Sequence, residues 1–147
     1  MKRIILLSLL LLPGITLADG KELLKALCME CHVVDGVGGE KAAAPPMYAV
    51  WHHYRQEYPE RESFVAAMSG WLMQPDREGS LMQGAIQKFG LMEAPEISEA
   101  EAQTVAAYIY DIPFELPQWY LQHYNKSHDS RAYGYSGSEK ATQQLEQ

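Results

Sequence analysis

The chain is short of cysteine, of basic runs and of strand-like pattern. Its 147 residues include two cysteines and three phenylalanines, and its 12 Lys plus Arg face 19 Asp plus Glu for a net charge of -7. No Lys/Arg run is long enough to neutralise a phosphate backbone, which excludes DNA and RNA as partners. No alternating or Val/Ile-rich segment reads as a strand, and no internal repeat is evident, so neither a sheet-based nor a solenoid fold is expected. What is present, with 47% of residues hydrophobic, is enough for one domain with a modest core.

Part of that apolar content sits at the start. Met1-Lys2-Arg3, the apolar run from Ile4 to Leu12, Pro13-Gly14 and Thr16-Leu17-Ala18 follow the order of a secretory signal peptide, with cleavage expected after Ala18. A membrane helix needs roughly 20 apolar residues, and here a Pro-Gly break interrupts a shorter run, so no membrane span is expected after cleavage. No cysteine opens the mature chain, which removes the lipoprotein alternative. Cleavage takes Lys2 and Arg3 and no acid, leaving 10 basic and 19 acidic residues, a net of -9. An exported, periplasmic protein lives in an oxidising compartment.

Two cysteines in such a protein first suggest one disulfide, but Cys28 and Cys31 are followed directly by His32 in Leu27-Cys28-Met29-Glu30-Cys31-His32. C-x-x-C-H is the attachment signal of c-type haem. Positions i and i+3 on a helical turn share a face, so both thiols can reach the vinyl groups along one porphyrin edge. His32 comes next, placed to give its imidazole to the iron. A redox dithiol would want a preceding strand and a βαβ pattern, which are missing. A zinc site would need four ligands, and His123 and His128 lie more than ninety residues from Cys31.

The mature chain reads as five short helices, an all-α domain. Asp19 and Glu22 form a capping-box pattern for the first, on which Leu24, Leu27, Cys28 and Cys31 share a face until the glycine-rich loop Asp35 to Gly39. Pro46 is placed to begin a second helix with the stripe Met47, Val50, Trp51 and Tyr54, while His52 and His53 point to solvent. A third spans residues 60–73 with Phe64, Ala67, Met68, Trp71 and Leu72 as core. A fourth spans 80–89, closed by Gly90. Ser98 and Glu101 open a fifth, burying Ala102, Val105, Ala106 and Ile109. Residues 117–124 can add an aromatic turn or two, and from Asn125 the composition is that of a disordered tail. The expected organisation is thus a signal peptide over 1–18, a domain over 19–113 and an extension over 114–147 that is largely disordered or docks a partner.

The sixth iron position has candidates in Met29, Met47, Met68, Met73, Met82, Met92 and the other four histidines. Met29 is beside the attachment site, and Met47 and Met68 lie in core stripes. Met92 follows the helix break at Gly90 and precedes Pro95, on a loop free to present its sulfur.

With these residues in place, the chain resembles the class I c-type cytochromes, the small monohaem cytochromes of bacterial periplasms. The resemblance runs from about Asp19 to Ile112, through the Cys28–His32 motif, Ala44-Pro45-Pro46, Lys88-Phe89-Gly90-Leu91-Met92 and Ala107-Tyr108-Ile109. It implies the cytochrome c fold around one covalently bound haem c, with Met92 as distal ligand opposite His32 and the Pro45 carbonyl accepting the His32 Nδ1 proton. It also implies a crossing of first and last helices, matched here by Gly20, Leu24 and Tyr108. Val33 stands where many members have Gly after the haem histidine. Glu93 stands where many have Pro after the ligand methionine, which keeps Met82 as a fallback.

His/Met ligation leaves no open iron position, so the expected activity is single-electron transfer with periplasmic redox partners rather than catalysis. Leu24, Leu27, Trp51, Trp71 and Tyr108 are candidates to pack the haem, and Trp51 or Tyr54 to hydrogen-bond a propionate. Glu93, Glu96, Glu99 and Glu101 form either a solvated surface or an acidic docking rim for a basic partner. Two alternatives stay open. One is a haem c subunit of a larger oxidoreductase, favoured by Trp119, Tyr120, Tyr124, Tyr133 and Tyr135 in the extension. The other is a ligand-binding or sensor haem in which Met92 is displaced.

Overall fold

The computed structural model describes residues 19–33 and 42–128. The signal segment, the glycine-rich loop and the tail from residue 129 lie outside the described residues. Six helices and no strand are found among those described: α1 (Gly20–Leu27), α2 (Met47–Glu57), α3 (Arg61–Met73), α4 (Gln83–Phe89), α5 (Glu99–Asp111) and α6 (Gln118–Ser127).

Each start has a local cause. Asp19 accepts from Lys21 N at 3.1 Å to open α1. At α5 the reciprocal capping box is complete, Glu101 N donating to Ser98 Oγ and Ser98 N to Glu101 Oε2. Pro46 stands just outside α2, and its carbonyl accepts from Ala49 N and Val50 N. α4 is shorter at its start than the sequence suggests, because Met82 is its N-cap. It ends at Gly90, whose φ of 85° is a left-handed conformation that a side chain resists.

α5 is the central helix, with α3 packed along it and α1 crossing it. The small side chains of Ala102 and Ala106, with Val105 and Ile109, are at most 2% exposed, and two alanines in that stripe let neighbouring helices come close. Phe64 from α3 fills the same core, its ring 5.8 Å from Tyr54 and 5.2 Å from Tyr110. An exposed bidentate pair, Arg61 to Asp111, fastens the start of α3 to the end of α5 and adds little stability in water.

The extension departs from expectation. α6 is a regular helix laid against α2, with Tyr120 buried and its ring edge-on to Tyr48 at 5.3 Å. Residues 114–128 are therefore part of the packed structure rather than a loose tail. For the same reason His52 is not on a solvent face: it is 9% exposed, with Tyr120 Oη 3.1 Å from its Nδ1. The periodicity of α2 correctly locates one apolar stripe, but rings from α6 cover much of the opposite side.

The crossing of α1 and α5 turns on Gly20. A Cβ there would sit 2.6 Å from Tyr108 Cβ and 3.0 Å from Thr104 O, so the helices meet at a distance only glycine allows. Gly20→Ala is expected to destabilise the fold by about 1–3 kcal/mol through overpacking. Gly84→Ala on α4, where a Cβ would meet nothing within 4 Å, is expected to be neutral or stabilising by about 0.5–1 kcal/mol. Denaturant unfolding of the two variants checks the contrast.

Candidate cofactor site

Past Leu27 the chain makes one more turn: Cys31 N and His32 N both bond the Cys28 carbonyl, at 3.2 and 2.8 Å. This turn puts Cys28, Cys31 and His32 on the wall of one cavity of about 390 Å³. Its lining continues through Ala43 to Pro45, Met47, Val50 and Tyr54 of α2, and Met68, Trp71 and Leu72 of α3. It closes with Leu81 and Met82, Ala85, Ile86 and Phe89 of α4, and the Leu91–Met92 loop. Four methionines, Met47, Met68, Met82 and Met92, thus border the same space as His32.

Pro45 O lies 2.7 Å from His32 Nδ1. Proline nitrogen carries no hydrogen, and a carbonyl only accepts, so His32 donates from Nδ1 and its other ring nitrogen, Nε2, is left as the metal donor. Burial lowers the His32 pKa and the bond to Pro45 partly offsets this, so the imidazole is neutral at pH 7, as a ligand must be. Cys28 is buried and its thiol is pushed up to about 11 by desolvation, while Cys31 is exposed and neither is in a disulfide. A catalytic dithiol depends on a depressed thiol pKa, so burial here speaks against that alternative. Two thiols i and i+3 apart, a neutral imidazole with a fixed tautomer, several thioethers and an otherwise mainly apolar lining are a donor set suited to a covalently attached haem.

Several expected contacts fall elsewhere. Trp51 is not on the cavity wall as the cavity is lined without a cofactor. Its ring packs 5.7 Å from Phe114 with the Arg55 guanidinium 5.8 Å away, and its Nε1 is buried with no hydrogen-bond partner. Leu24 and Tyr108 are likewise off the wall, bordering a groove on the far side of α1, whereas Leu27 and Trp71 are on it. Tyr54 is the aromatic with a hydroxyl on the wall, and burial raises its pKa, so the hydroxyl remains a donor.

The glutamates after Met92 also separate. Glu93 lines the cavity, and Glu96 and Glu99 are exposed, but Glu101 serves the capping box, its pKa held down by hydrogen bonds from Ser98. The part played by Met82 was harder to see in the sequence. Ser80 Oγ accepts from Met82 N at 3.1 Å, ending the preceding turn and starting α4 one turn later than the pattern suggests, with the residue at the cavity edge.

If Tyr54 donates to a haem propionate, Tyr54→Phe leaves that carboxylate less neutralised and favours ferric iron. The expected result is a midpoint potential lower by on the order of 30–60 mV in Tyr54→Phe, or in Trp51→Phe if the buried Trp51 Nε1 is the donor instead. Potentiometric titration of the two variants decides between them.

Compared with known proteins, residues 17–112 match the family model described as Cytochrome c. Neither a curated protein nor a solved structure matches the chain.

Proposed function

The chain belongs to the cytochrome c family, and on that premise we propose that it is an exported, periplasmic monohaem electron carrier with His32 and Met92 as axial ligands. That it is a haem-based electron-transfer protein follows from the family; the ligand set, the single covalent haem and the compartment are the proposal. The observation that carries it is the 2.7 Å contact of His32 Nδ1 with the Pro45 carbonyl beside two cysteines on one turn. Bound there, haem c supplies reversible one-electron chemistry at iron.

The protein's own groups set how that chemistry runs. Cys28 and Cys31 would form the two thioethers, with Cys28 held inside by its burial and Cys31 at the open side. Pro45 fixes the ring orientation of His32 and makes its Nε2 a better donor. Met92 is chosen over Met82 because Met82 is tied at the start of α4 through both its N–H and its carbonyl, whereas no backbone hydrogen bond among the described residues holds Met92, so its segment can move to present the sulfur. Met47 and Met68 are each 3% exposed and already serve as core. A thioether ligand and apolar walls both favour the ferrous state and so raise the potential. Two protein ligands leave no place for substrate on the iron, which supports a carrier rather than a sensor.

The partner follows from charge. With net -9 after the expected cleavage, and with Glu93 on the cavity wall beside exposed Glu96, the surface near Met92 suits a basic redox protein. No helix among the described residues is long and apolar enough to cross a membrane.

Two tests follow. Met92→Ala is expected to make the ferrous protein bind carbon monoxide fully and to lower its potential, whereas Met82→Ala behaves like the unmodified protein; the reverse pattern makes Met82 the ligand. The rate of electron transfer to a basic partner is expected to fall about tenfold between low and physiological salt, and to lose that dependence in Glu93→Gln/Glu96→Gln. Stopped-flow measurements at several ionic strengths read it.

A further inference from the structure

The family match ends at residue 112, and α6 lies beyond it. What joins α6 to α2 is unusual in composition: two adjacent histidines on α2, two tyrosines on α6 and the histidine that caps the end of α6. The His52 ring is edge-on to Tyr124 at 4.5 Å and to Tyr120 at 5.6 Å. The His53 ring is edge-on to Tyr124 at 5.1 Å and to His128 at 5.2 Å, and the His52 and His53 rings are 6.4 Å apart.

The hydrogen bonds require these rings in particular protonation states. His53 donates from Nδ1 to Ala49 O at 2.8 Å. Tyr120 Oη lies 3.1 Å from His52 Nδ1 and 3.4 Å from His53 Nδ1, so with His53 already a donor, the tyrosine donates to an unprotonated His52 Nδ1. The Gln56 side-chain amide meets His52 Nε2 at 3.3 Å. From α2 the rings face each other, Gln56 and, through Tyr120, Tyr48; from α6 they face Tyr120, Tyr124 and His128. Among the described residues no hydrogen bond or ion pair joins His52 or His53 to a carboxylate that would welcome a proton.

We propose that this cluster is an acid-sensitive clasp: α6 is docked on α2 while the histidines are neutral and is released when they are protonated. A proton on His52 reverses its bond with Tyr120, leaving the phenol proton without its acceptor, and places a cation beside two further imidazoles in a site with little water. Release uncovers Tyr48 and Ala49 and loosens the packing of Met82, which leans on the same small core. Acidity thereby acts on one border of the cofactor cavity without touching the residues proposed to hold the cofactor.

The sign and size follow from linkage. Burial first, then the charges of His53 and His128, lower the His52 pKa to about 4 when docked. An undocked histidine titrates near its ordinary value, so docking is at full strength above about pH 6.5 and is lost progressively toward about pH 4. At pH 5 this one group makes opening about thirtyfold easier than at pH 7.5.

The test is amide hydrogen exchange by NMR on the reduced, haem-loaded full chain at pH 7.5 and 5, expressed as protection relative to each pH's intrinsic rate. The expected result is a loss of protection of at least about tenfold in α6 with α3 and α5 unchanged, and no such loss in His52→Phe. Equal protection of α6 at both pH values, or the same acid loss in His52→Phe, overturns the proposal. If His52→Phe does not dock at all, the imidazole titration of the unmodified protein decides: a His52 pKa well below 6 supports the clasp, and an ordinary value overturns it.

Discussion

One hydrogen bond organises the site, the donation from His32 Nδ1 to the Pro45 carbonyl across thirteen positions of chain. It joins the turn after α1 to the proline segment before α2, and so closes the loop between them at its base. The same bond selects the imidazole tautomer and leaves the Nε2 lone pair for the iron proposed to bind there. Proline is apt on the accepting side, because its fixed φ holds the carbonyl and it has no N–H to compete. The attachment turn, the cavity and the start of α2 all depend on this link being made.

The helices around it are arranged to hold that turn in place. α1 carries Cys28 as its C-cap, and the position of α1 is set by the contact of Gly20 with Tyr108 on α5. α5 in turn is locked by its own capping box and by α3, whose Met68, Trp71 and Leu72 reach the cavity. A small domain with a cavity of about 390 Å³ at its centre has few residues to spare for a protein-only core. A cofactor with large apolar faces completes such a core, so the same side chains that would bind haem also have reason to close around it.

The sequence made the first five helices and the attachment turn readable because each has a short-range signal. C-x-x-C-H is a contiguous motif, the buried stripe of α5 repeats at helical spacing, and Ser98 and Gly90 are local start and stop marks. The features least legible in the sequence are those whose surroundings come from far along the chain. His52 is solvent-facing on the wheel of α2 alone and becomes buried only because Tyr120, 68 positions later, covers it. The packing of the Trp51 ring on Phe114 is likewise set by a residue far along the chain. α6 itself was understated since its apolar residues are aromatic and its polar ones frequent, and its stability comes from docking rather than from a strong stripe.

The central claim is that this cavity holds one covalently attached haem, ligated on both sides by the protein and exchanging single electrons. A redox titration of the purified, unmodified protein followed by absorption addresses it most directly. The predicted result is a haem c spectrum, six-coordinate in both oxidation states, changing in a single one-electron transition at the raised potential of a His/Met pair. A two-electron transition without haem absorption, as from a Cys28–Cys31 dithiol, or a five-coordinate ferrous spectrum would contradict it.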